Sequence, residues 1–66
     1  MTREEKYKLI ELLEKLRDEE ILEVAQEYNL TEREVREKLC REPEEVYKMN
    51  DDRLIEGIDI VLCALD

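Results

Sequence analysis

The chain has 66 residues, 20 of them Asp or Glu and 11 Lys or Arg, for a net charge of −9, with no His, Trp or Phe and only three Tyr. A chain this short forms one domain that buries only about 60% of its unfolded surface, so its core is small. The acidic balance opposes general binding to nucleic acid or to an anionic membrane, because phosphate contacts need clustered Lys and Arg.

Thr2-Arg-Glu-Glu5 has the form of a capping box and opens a first helix. Leu9, Leu12, Leu13 and Leu16 follow at i, i+3, i+4 and i+7, and Ile10 broadens the stripe. The spacing predicts a helix from Arg3 to about Arg17. The next in-phase positions are Glu19 and Glu20, so the apolar pattern slips. Ile21, Val24, Ala25 and Tyr28 restart it. Asp18 is therefore read as a new N-cap with Glu19 and Glu20 in an acidic first turn. One bent continuous helix is the alternative.

Asn29 tolerates the left-handed conformation that ends a helix. Thr31-Glu-Arg-Glu34 is a second capping box, before a helix carrying Val35 and Leu39. Pro43 suits the first turn of a short helix with Val46, Tyr47 and Met49. Asn50, Asp51 and Asp52 offer N-caps for the last helix, Leu54 to Leu65. Leu54, Ile58, Val61 and Leu65 share one face there, and Ile55 and Leu62 widen it. A helix this apolar is expected to be covered on several sides. Gly57 inside it costs roughly 1 kcal/mol relative to Ala. With Ile60 and Ala64 it forms a strip, read as internal packing ahead of a self-association face.

The segment Ile21 to Leu39 places small Ala25 four residues before Asn29, with Tyr28 and Leu30 flanking the turn and Val35 and Leu39 beyond it. This resembles the helix-turn-helix of small transcription regulators, over those 19 residues. The resemblance implies two closely crossing helices. It also implies a second helix that enters the DNA major groove, with Thr31, Glu32, Arg33, Arg36, Glu37 and Cys40 outward. Arg33 and Arg36 are the candidate DNA-reading residues. Glu32 and Glu37 would face the same phosphates, so nucleic acid is disfavoured.

Catalysis is poorly provided for. Without His or Ser there is no Ser-His or Cys-His pair, and no Gly-rich phosphate loop is present. Cys40 and Cys63 lack metal-ligand spacing, so two free, buried thiols are expected, ahead of a disulfide joining the last two major helices. No cofactor, metal site or catalytic residue is expected. No apolar run of about 18 residues marks a membrane span and no signal-peptide core is seen, which predicts a cytoplasmic setting if the chain is natural.

The charge is concentrated at the end of the chain: Glu42 to Asp66 holds eight acidic and two basic residues, a net of −6. Glu42, Glu44, Glu45, Asp51 and Asp52 form the candidate surface for a basic protein partner. The expected fold is all-α: a compact orthogonal bundle of about five short helices, residues 1–66 in one domain, with a helix-turn-helix-like centre and a central C-terminal helix. Its expected core is Leu9, Leu13, Leu16, Ile21, Ala25, Tyr28, Leu30, Val35, Leu39, Val46, Leu54, Ile58, Val61, Leu62 and Leu65. Consistent capping and a surface filled with Glu, Lys and Arg suit a non-catalytic designed or redesigned scaffold without a natural ligand. The alternative is a natural acidic interaction module, an adaptor or inhibitor of a basic partner; a sequence-specific DNA-binding regulator is the third reading. A monomer is expected ahead of a homodimer.

Overall fold

The computed structural model describes residues 1–65. Its helices are α1 (Arg3–Glu27), α2 (Glu32–Arg41), α3 (Pro43–Met49) and α4 (Leu54–Leu65), and there is no strand among the described residues. The described residues are all-α, with four helices among them where about five were expected.

The missing boundary is at Asp18, which lies inside α1. No Gly or Pro interrupts this stretch, and the inward stripe does not lapse there. It runs Ile10, Leu13, Arg17, Ile21, Val24, with Arg17 as its one polar member. Arg17 donates from Nη1 to Asp59 Oδ1 of α4 at 3.0 Å. Its charge is thereby paired across the interface, and the stripe continues. Leu12 and Leu16 belong to a different face and are 60% and 51% exposed. Asp18, expected as a cap, instead accepts from Arg36 of α2 at 2.7 Å.

Local signals set the helix ends. Thr2 Oγ1 accepts from Glu5 N at 3.2 Å, while Glu5 accepts from the Thr2 hydroxyl rather than from its backbone N–H. The box at Thr31 is complete: Glu34 N donates to Thr31 Oγ1 and Thr31 N to Glu34 Oε1. Asn29 takes φ 59°. Leu30 N then donates to Ala25 O at 2.7 Å and Asn29 N to Gln26 O, a Schellman closure of α1. Pro43 opens α3 without needing an N–H.

The core gathers at one end of the molecule. Ile21, Val24 and Ala25 of α1 pack with Val35 of α2, Val46 of α3 and Ile55 of α4. Leu30, Leu39, Tyr47 and Met49 seal it. Val24 and Ile55 were missing from the expected core. The rest of α1 runs beyond this cluster with α4 alongside, giving extents of 40 × 20 × 17 Å. The long dimension is close to that of a straight 25-residue helix, about 37 Å. The molecule is thus an elongated body rather than the compact bundle expected.

The position of α4 corrects the sequence reading most. It was expected as a central post, but it is a flank that lies chiefly against α1. Ile55 meets the Ile21 cluster, Asp59 meets Arg17, and Leu62 and Cys63 share a groove with Ile10 and Glu14, so the two helices are antiparallel. The inward line is Ile55, Ile58, Leu62. Leu54 and Val61, expected in the core, are 48% and 42% exposed. Turning Asp59 toward Arg17 rotates them outward. Tyr28 is also exposed, because α1 ends there and leaves its ring beyond the core. A Cβ built on Gly57 meets nothing within 4 Å, so internal packing does not account for that glycine.

Candidate binding clefts

Two clefts flank the core. The first, about 540 Å³, has an apolar floor of Ile10, Leu39 and Leu62 and is crossed by a polar network. Asp59 accepts from Arg17 on one oxygen and from the Tyr47 hydroxyl on the other, each at 3.0 Å. Burial, reinforced by Asp59, pushes the Tyr47 phenol up to about 12. Arg17 Nε is buried and has no hydrogen-bond partner.

Cys40 and Cys63 line the rim of this groove; both thiols are free and exposed. Their expected burial is corrected. On α2 the inward positions belong to Val35 and Leu39, and on α4 Cys63 follows Asp59 by one turn onto the groove side.

The second cleft, about 490 Å³, lies between the end of α1 and the α3–α4 turn. Glu23, Gln26 and Glu27 line one wall, and Asn50, Asp51 and Asp52 the other. Asn50 builds it. This residue is 4% exposed and uses all its polar groups. Its N–H donates to Val46 O, its C=O accepts from Arg53 N, and its Oδ1 accepts from Ile55 N at 3.0 Å. Its Nδ2 donates to Glu20 Oε1 at 3.2 Å. Asp52 caps Leu54 N at 3.2 Å, and Arg53 takes φ 56° to enter α4.

This arrangement brings carboxylate oxygens of Glu20, Glu23 and Asp52 within 4.8 Å of one another. Burial first, then the Asp52 and Glu23 carboxylates, hold Glu20 above the usual carboxylate range, while Asn50 works the other way. Such a set suits a cationic group: a Lys or Arg side chain, or a hard cation with oxygen ligands.

Of the expected partner surface, Asp51 and Asp52 join this cleft, whereas Glu42 lies with Lys38 and Arg41 beside α2. Glu44 and Glu45 are exposed on the first turn of α3. Sequence reasoning missed Glu20, Glu23 and Glu27, whose i, i+3, i+7 spacing was the available signal. Arg36 is held by Asp18 and Glu32, each at 2.7 Å, and these bonds raise its already high pKa. Arg33 lies 3.6 Å from Glu37. No described helix is long and apolar enough to cross a membrane.

No protein-family model, curated protein or solved structure matches the chain.

Proposed function

We propose that this chain is a non-catalytic interaction module that holds a basic segment of a partner protein in the acidic cleft. The carrying observation is the convergence of Glu20, Glu23 and Asp52, from two separate stretches, beside a cleft whose lining holds Glu23 and Asp52 and no cationic side chain. A Lys or Arg inserted there relieves the repulsion among the three carboxylates and gains charge-assisted hydrogen bonds. The corner of α1 and α2 is read as helix-turn-helix-like packing, used here as a support for the cleft wall.

The designed-scaffold reading stands second, favoured by the complete capping box at Thr31. Against it, α4 leaves large apolar side chains uncovered, which an inert scaffold avoids. DNA binding stands third, because Arg36 would have to leave two carboxylates to reach a base edge.

Titration of the 15N-labelled protein with a Lys/Arg-rich peptide at low salt tests the leading reading. Shifts should centre on Glu20, Glu23 and Asp52 and fade with added salt and in Glu23→Gln/Asp52→Asn. A parallel titration with calcium or magnesium separates a cation site from a peptide site. Peptide shifts confined to Glu42–Glu45, or none, would reject this assignment.

A further inference from the structure

The chain has two cysteines, and the fold sets both on one groove. Asp59 of α4 is tied to Arg17 at 3.0 Å and Arg36 of α2 to Asp18 at 2.7 Å, so α4 and α2 are pinned to adjacent residues of α1. Cys63 follows Asp59, and Cys40 follows Arg36, by four residues, which is about one helical turn. Both turns lead to the rim of the groove whose floor is Ile10, Leu39 and Leu62. The two thiols therefore border the same opening from different helices.

The packing of the fold requires a thiol at neither position. Both side chains are free and exposed, and the core cluster is built without them. Exposed thiols are open to exchange in a way that buried ones are not. Each also sits in the last turn of its helix: Cys40 is one residue before the end of α2, and Cys63 is two before the last described residue of α4. The last carbonyls of a helix have no partner within it, so this backbone yields more readily than a helix interior.

We propose that Cys40 and Cys63 form a reversible disulfide across this groove, by exchange with a small disulfide of the glutathione class. One protein thiolate attacks a sulfur of the small disulfide, its S–S bond breaks, and one small thiolate leaves. The second protein thiolate then attacks the cysteine sulfur of the mixed disulfide and expels the other small thiolate. The protein gives up two electrons, and the two protons released by its thiols end on the two small thiols. A disulfide holds its Cα atoms about 5.5–6 Å apart, so the last turns of α2 and α4 draw together over Leu39 and Leu62. The bond closes the mouth of the groove, and reduction reopens it. The acidic cleft has no cysteine in its lining, so the proposal is independent of the function assigned there.

Equilibration of the reduced protein, at low micromolar concentration, with mixtures of reduced and oxidised glutathione tests it. Acid quenching and intact mass spectrometry read the products. The wild type should become a monomer lighter by two hydrogens, while Cys40→Ser and Cys63→Ser should each stop at one glutathione adduct. The exchange constant should be at least about tenfold larger in buffer than in concentrated urea, because the fold holds the thiols closer than an open loop does. By the same thermodynamic cycle, the oxidised protein should unfold at a higher urea midpoint than the reduced one. A wild type that ends with two glutathione adducts or as a covalent dimer overturns the proposal. An exchange constant no larger in buffer than in urea overturns it equally, since the bond would then owe nothing to the groove.

Discussion

Asn50 Oδ1 accepts a hydrogen bond from the backbone N–H of Ile55 at 3.0 Å, inside the core rather than at its edge. This one contact caps α4 and fixes where it leaves α3. The amide of the same side chain reaches Glu20 of α1, so three helices meet at one buried polar residue. A buried polar group of this kind is stabilising only while every bond is made.

Asn50→Ala therefore leaves the Ile55 N–H unpaired, removes the Glu20 contact and opens a small void. A loss of about 2–3 kcal/mol is expected, a large part of the stability of a domain this small. Urea unfolding followed by circular dichroism measures it. A midpoint within error of wild type would show that Asn50 does not organise the α3–α4 turn.

The phase of α4 can be read by paired substitutions. Ile58 is 6% exposed, and Asp there buries a charge with no cation to meet it. Ile58→Asp should unfold the domain. Val61→Asp, three residues on, should keep a cooperative melt, because Val61 faces outward. The reverse result would restore the face that spacing alone suggested.

Arg53 enters α4 with φ 56°, a conformation that a side chain disfavours. Its ion pair with Glu56 is long, at 3.4 Å, and largely exposed, so it contributes little. Arg53→Gly should stabilise the protein by up to about 1 kcal/mol. A lower thermal midpoint would show that the side chain, and not the backbone, matters at this position.

Glu20 has a folded pKa above its ordinary value, so folding favours its neutral form. Its favourable contribution is complete at low pH and is lost as pH rises through the raised pKa. Glu20→Gln keeps an acceptor for Asn50 and removes the charge. It should melt higher than wild type at pH 7, and the difference should vanish in acid. An equal difference at both pH values would remove electrostatics as the cause.

Tyr47 titrates in the opposite range. With its phenol pushed up to about 12, the hydroxyl contributes fully below the ordinary tyrosine pKa of about 10 and is lost between there and about 12. Tyr47→Phe should cost about 1 kcal/mol at neutral pH, from the lost bond to Asp59. That cost should shrink across the alkaline window. Denaturant midpoints of both proteins at neutral and alkaline pH check it.

The sequence by itself determined the local grammar of this protein. Thr2, Asn29, Thr31 and Pro43 act on backbone within four residues of themselves, so the helix ends they set were legible, whereas the cap signal read at Asp18 marks no helix start. The all-α class and the apolar character of α4 followed from composition and spacing for the same reason. Tertiary structure alone decided which face of each helix turns inward. Leu9 to Leu16 offer two overlapping apolar stripes, and the one turned inward is the one continued by Ile21 and Val24 and by Arg17, which pairs with Asp59, 42 positions away. In that packing α1 runs unbroken past Asp18, Leu12, Leu16 and Val61 face outward, and α4 lies on the flank. The acidic cleft has the same origin: Glu20 and Glu23 meet Asp52 only because Asn50 ties the α3–α4 turn to α1. Contacts between distant stretches depend on how packed helices rotate against each other, a choice that periodicity along one helix leaves open.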